Sequence, residues 1–193
     1  MCYNNNGVIC MNIVFGGSFN PPTKAHKLIL DKLFLLFKPD NIIIVPVGDS
    51  YKKKGLIDYT HRLEMVKLLD SRVIVSTLEN NDAYLGTYDL LKKLSEDYDD
   101  LYYVIGSDNL MKLDTWIDYK NLLKDFKFIV FNRYSVPLED VILEKYPEFK
   151  DRFLIIQIDY DISSSKFRET RDSNLIPEEV YDYIIENKLY EVK

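Results

Sequence analysis

Short runs of apolar, largely β-branched residues alternate along this chain with segments of helical periodicity, and that alternation restricts the fold more than any other feature. The runs are Met11–Phe15, Ile42–Val47, Val73–Val75, Tyr102–Ile105, Phe128–Phe131 and Phe153–Ile156. Several lack polar alternation, which suits strands covered on both faces. Between them Ile29, Leu33, Leu36 and Phe37 fall at i, i+4, i+7 and i+8. Met65, Leu68 and Leu69 fall at i, i+3 and i+4, and so do Val180, Tyr183 and Ile184. Strands alternating with helices predict an α/β fold, a doubly wound parallel sheet. At 193 residues the chain is long enough for one domain with its own core. We read residues 11–193 as that domain, with a small C-terminal helical part, behind an extension of residues 1–10. In such sheets ligands gather beyond the carboxyl ends of the strands. The loops after Phe15, Val47, Ile105 and Ile158 are therefore where function is expected.

Charge and cysteine usage remove several function classes. The chain has 31 acidic and 25 basic residues, a net charge of −6. That balance does not suit a general binder of nucleic acid or of anionic membranes. Cys2 and Cys10 are the only cysteines, and His26 and His61 the only histidines. A disulfide framework, a four-thiolate zinc site and a His-rich metal centre are thereby excluded, and no protein-held metal is expected. No apolar run approaches the roughly 18 residues of a membrane span. The start lacks a basic segment followed by an apolar one, so no signal peptide is read there. A cytoplasmic setting is expected, and the oligomeric state, a homo-oligomer included, is left open.

The first strand runs into Gly16-Gly17-Ser18-Phe19-Asn20-Pro21-Pro22-Thr23-Lys24-Ala25-His26. Glycine lets main-chain N–H groups approach an anion, and a following helix adds unpaired N–H groups and the positive end of its dipole. Pro21-Pro22 stiffens the turn, and His26 falls in the first turn of the helix. The residues alone fit an anion cradle as well as a plain strand-to-helix turn with a surface histidine. They match neither the Walker motif nor G-x-G-x-x-G. After the last strand, Ser163, Ser164 and Ser165 precede Lys166 and Arg168. These hydroxyls are able to cap a helix or to bond phosphate oxygens. Gly106 and Asp108 follow the fourth strand, with Trp116 eight residues after Asp108. Asp108 reads as a helix N-cap or a sugar ligand, and Trp116 as a core aromatic or a stacking platform. Lys52, Lys53 and Lys54 are conspicuous in an acidic chain and by themselves read as a solvated surface loop.

Taken together, these segments resemble the nucleotidylyltransferase superfamily, whose fold is Rossmann-like. Gly17–His26 is similar to its (H/T)xGH signature, with Thr23 in the Thr form and Ala25 for the glycine. Ile162–Arg168 is similar to ISSTxIR, with Ser165 for Thr and Phe167 for Ile. Gly106–Trp116 resembles the G-x-D…W segment of nicotinate/nicotinamide mononucleotide adenylyltransferases. Thr87–Leu91 resembles that family's T-x-D-T-L helix start, with Leu90 for the second threonine. Tyr51–Leu56, His61-Arg62 with Met65, and the tail Ile176–Tyr190 also match, so the likeness runs from about Met11 to Tyr190.

The resemblance implies an enzyme that transfers adenylyl from ATP to nicotinate mononucleotide, with Mg²⁺ carried on the ATP. It implies His26, Lys53 and Arg168 as catalytic residues. Gly17, Ser18, Phe19, Thr23, His26, Gly106, Asp108, Ser163, Ser164 and Arg168 would bind ATP. Tyr51, Thr87 and Trp116 would bind the mononucleotide, and His61 is read as structural. The Tyr51–Leu56 loop looks like the branch that also accepts nicotinamide mononucleotide, whereas the Asp108–Trp116 spacing looks like the nicotinate-preferring branch. The alternatives are phosphopantetheine adenylyltransferase, which shares both superfamily signatures, a cytidylyltransferase, and a nucleotide-binding sensor without turnover, which Thr23 and Ala25 would favour.

Overall fold

A computed structural model describes residues 11–51, 54–80, 83–132, 136–159 and 162–191. The extension 1–10 lies outside them. Six strands, β1 (Asn12–Gly17), β2 (Asn41–Pro46), β3 (Ile74–Val75), β4 (Leu101–Gly106), β5 (Lys127–Asn132) and β6 (Phe153–Gln157), form one sheet in the order β3-β2-β1-β4-β5-β6. Pairings of β1 with β4, β4 with β5 and β5 with β6 are parallel. The helices are α1 (Lys24–Phe37), α2 (Tyr59–Lys67), α3 (Thr87–Leu94), α4 (Ser107–Leu110), α5 (Tyr119–Asp125), α6 (Leu138–Lys145), α7 (Ser164–Thr170) and α8 (Glu178–Glu186). This is the expected Rossmann-like α/β sheet. Among the described residues no helix is long and apolar enough to cross a membrane.

The chain divides into two compact units. The first comprises residues up to 16, 39–43 and 83–159. Its core is built on β1, β4 and β5, where Ile13, Val14, Val104, Phe128, Ile129 and Val130 are buried. Each such side chain contributes about 1.5–3 kcal/mol through its removal from water. Tyr146 is buried there too, its hydroxyl donating to the Leu110 carbonyl at 3.0 Å and accepting from the Asp114 N–H at 3.1 Å. The second comprises residues 17–38, 44–82 and 160–193. One of its cores gathers Met65 from α2, Phe167 from α7, Leu175 and Ile176, and Val180 and Ile184 from α8.

Three local expectations are corrected. Gly16 and Gly17 belong to β1 rather than to the turn after it. The Tyr103 hydroxyl fills the place where a Cβ on Gly16 would stand, so this glycine serves strand packing. The buried stripe of α1 is Ala25, Ile29, Leu30 and Leu33, while Leu36 on the last turn is 55% exposed. Helix α2 ends at Lys67, so Leu68 lies past the helix and is largely exposed, while Leu69 folds back into the core.

Candidate active site

In the second unit, the turn after β1 and the turn before α7 meet. Ser164 Oγ donates to the Pro21 carbonyl at 2.7 Å, and Arg168 Nη1 donates to the Asn20 carbonyl at 2.6 Å. Asn20 is 3% exposed and ties in two further segments. Its Nδ2 donates to the Gly55 carbonyl at 2.7 Å, and its Oδ1 accepts from the Tyr190 hydroxyl at 2.8 Å. Burial pushes the Tyr190 phenol well above its ordinary pKa, so it remains a neutral donor. Its ring also stands edge-on to Phe167 of α7, 5.8 Å between centroids.

His26 occupies the first turn of α1 and is half-buried. The Thr23 main-chain N–H donates to its Nδ1 at 2.9 Å, and Thr23 Oγ1 lies 2.8 Å from the same atom. The ring of Phe19 lies 5.1 Å away at 53°. Phe19 is buried and takes a positive φ of 44°, so its side chain supports the histidine from below the surface. Gly17 offers its carbonyl to the Val47 N–H at 3.0 Å, and a Cβ there would stand 3.2 Å from the Phe19 ring. Ser163 caps α7, accepting from the Lys166 N–H at 3.1 Å, and Ser165 Oγ accepts from Arg168 Nη2 at 3.1 Å. The three serines and Arg168 are thus already bonded within the protein, and they build the turn as well as face outward. Tyr51 is half-buried, its N–H donating to the Gly48 carbonyl at 3.2 Å. Lys53 lies outside the described residues.

In the first unit, Gly106 precedes α4, and Asp108 is the second residue of that helix and exposed. Gly106 holds the N-cap position, so the N-cap reading of Asp108 does not hold. A Cβ on Gly106 would stand 2.7 Å from Asp108 Oδ1, so the glycine lets the carboxylate lie over the strand end. Trp116 is half-buried, edge-on to Tyr103 at 6.2 Å and 81°, and so is not a core aromatic. Thr87 opens α3 and is buried, preceded by Gly86 at φ 96°. A Cβ on Gly86 would stand 3.0 Å from the Ile117 Cβ, which packs the start of α3 beside the Trp116 segment. Left-handed φ and close approach together call for glycine there.

The cytidylyltransferase-like family pattern matches residues 14–170. A probable nicotinate-nucleotide adenylyltransferase of Acholeplasma laidlawii is 44% identical over 187 residues, covering 94% of this chain and 98% of that protein. This chain belongs to the nicotinate-nucleotide adenylyltransferase family. A second probable member, from Carboxydothermus hydrogenoformans, is 32% identical and covers 92% of this chain and 96% of its own. The fold is also similar to Plasmodium falciparum nicotinic acid mononucleotide adenylyltransferase complexed with NaAD. That similarity has a TM-score of 0.81 and 28% identity over 96% of this chain and 99% of the other.

The sequence marks Arg62 only as part of the His61-Arg62 match, and not as the side chain that organises the loops of this adenylyltransferase family member. Arg62 of α2 is fully buried. Its Nε donates to the Ile57 carbonyl at 2.9 Å, and Nη1 donates to the carbonyls of Ser18 at 3.1 Å and Val47 at 2.6 Å. Nη2 pairs with Asp49 Oδ1 at 2.9 Å. An Arg–carboxylate pair carries no sequence signal when its worth comes from three carbonyls on separate loops. His61, its neighbour, packs against Tyr183 of α8 with 3.0 Å between Nδ1 and the hydroxyl.

Proposed function

We propose that this chain transfers the adenylyl group of ATP to nicotinate mononucleotide, giving nicotinate adenine dinucleotide and pyrophosphate. The observation that carries this is the joining of the His26 turn to the Arg168 turn through Ser164–Pro21 and Arg168–Asn20. A phosphate oxygen of the mononucleotide attacks the α-phosphorus of ATP, the bond to the β-phosphate oxygen breaks, and pyrophosphate leaves with its electron pair. The attacking phosphate is already ionised, so no general base is needed. Catalysis rests on positioning and on donors aimed at the developing charge. His26 donates to the α-phosphate, and Lys53, Ser163, Ser164 and Arg168 hold the triphosphate. Gly17, Ser18 and Phe19 contribute main chain at its edge.

In the first unit, Gly106 lets Asp108 meet the ribose hydroxyls. Trp116 offers its indole face to the pyridine ring, beside Thr87. A ring carboxylate suits the N–H groups and the positive dipole end at the start of α3, which favours nicotinate over nicotinamide mononucleotide. Tyr51 is assigned to the mononucleotide as well. The donors around the His26 turn are imidazole, guanidinium and hydroxyl groups, which suit phosphate oxygens better than a metal cage. Mg²⁺ would therefore be held by the ATP phosphates and neutralise part of their charge. The acidic chain and its diffusible substrates suit the cytoplasm as the setting.

The test is turnover with ATP, Mg²⁺ and each pyridine mononucleotide in parallel, with dinucleotide and pyrophosphate quantified by chromatography. Equal yields of both products, and a higher kcat/KM for the nicotinate form, are expected. Binding of ATP without either product would make the chain a nucleotide sensor instead.

A further inference from the structure

Thr23 is 0% exposed, although the signature places it among the phosphate ligands. Its two polar donors converge on one atom. The main-chain N–H reaches His26 Nδ1 at 2.9 Å, and Oγ1 lies 2.8 Å from that nitrogen. A main-chain N–H only donates, so Nδ1 is an acceptor. A neutral imidazole has one donor and one acceptor nitrogen, which places the ring proton on Nε2. The hydroxyl contact is then an O–H donating to the same nitrogen. Phe19 backs the ring at 5.1 Å, so both the tautomer and the tilt of the imidazole are set by the protein.

We infer that Thr23 is a positioning residue rather than a phosphate ligand: it holds His26 as the Nε2–H tautomer, aimed to donate. The inference deepens the proposed function and rests on the role given there to His26. It explains how a threonine serves at this place in the signature. The side chain needs no reach to the nucleotide, only a hydroxyl at the distance a helix N-cap gives to a residue three positions on.

The test pairs ring ¹⁵N NMR of labelled protein at mildly alkaline pH with steady-state kinetics of Thr23→Val and Thr23→Ser. Valine keeps the branched shape and the N–H and removes only the hydroxyl. Wild type is expected to show His26 protonated on Nε2. T23V is expected to show a mixed or broadened His26 signal, with kcat falling roughly tenfold and the KM for ATP changing less than about twofold. T23S is expected to restore both the signal and kcat. Wild-type His26 protonated on Nδ1 would overturn the inference, and so would T23V with an unchanged signal and a KM for ATP raised tenfold. If T23V does not fold, the wild-type and T23S spectra still decide. If the wild type turns over neither mononucleotide, the proposed reaction fails, while the spectra continue to judge the tautomer.

Discussion

At His26 the proposed reaction rests on contacts within one turn of helix. The Thr23 N–H donates to Nδ1 and the Phe19 ring lies 5.1 Å away, the two contacts by which the proposal makes the imidazole a fixed donor and not a mobile base. A single preorganised donor of this kind typically supplies a factor of roughly 10²–10³ in rate. His26→Ala is therefore expected to lower kcat at least roughly a hundredfold, and to lower Tm by about 2–4 °C because the buried Thr23 N–H and hydroxyl lose their acceptor. Near-wild-type turnover in that variant would remove His26 from the mechanism. The histidine was legible in the sequence because its meaning lies in short range, three residues after Thr23 and beside a stiff turn. Arg62 and Asn20 were not, because each draws its importance from carbonyls and hydroxyls on segments far along the chain. The matched segments contain both residues, but no spacing rule assigns them these roles. Arg168 was legible as a charge, but not as the group that fastens Asn20.

The elements were read more completely than the side chains between them. All six strands fall on the apolar runs, and for β1, β2, β4 and β5 the reason is burial, since a buried strand in a parallel sheet needs apolar residues on both faces. The departures are local. β1 continues through Gly17, and the Tyr103 hydroxyl occupies the space where a Cβ on Gly16 would stand. The start of α1 is fastened to its surroundings by Asp70, which is 4% exposed and takes Lys27 Nζ and Arg72 Nη2 on Oδ2 at 2.8 and 2.6 Å. The Arg72 guanidinium, seconded by Lys27, holds this carboxyl well below the usual carboxylate range. A folded-state value below the unfolded one of about 3.9 stabilises the protein above that pH and is lost as pH falls beneath it. Asp70→Asn is expected to lower stability at neutral pH and to flatten the acid limb of a stability-against-pH curve below about pH 4. An acid limb as steep as wild type would show that other carboxylates carry it. The tail acts in the same unit through Tyr190. Tyr190→Phe leaves Asn20 Oδ1 short of one donor and is expected to cost about 1 kcal/mol, read as a fall of about 2–4 °C in Tm. An unchanged Tm would mean that water replaces the phenol without loss.

At the scale of the whole molecule, the chain enters the second unit at residue 17, leaves it after residue 38, re-enters over 44–82, and returns at residue 160 to complete it. The two signature turns thereby come together although the residues joined, Pro21 and Ser164, are 143 positions apart. A net charge of −6 makes such a cluster of donors the local exception that an anionic substrate needs. The assignment of the triphosphate to this cluster is tested most directly by a crystal structure of the full chain with Mg²⁺ and a non-hydrolysable ATP analogue. Phosphate oxygens are expected within hydrogen-bonding distance of His26 Nε2, with the remainder of the triphosphate against the turn that carries Ser164 and Arg168. An analogue whose phosphates lie away from both turns would contradict it.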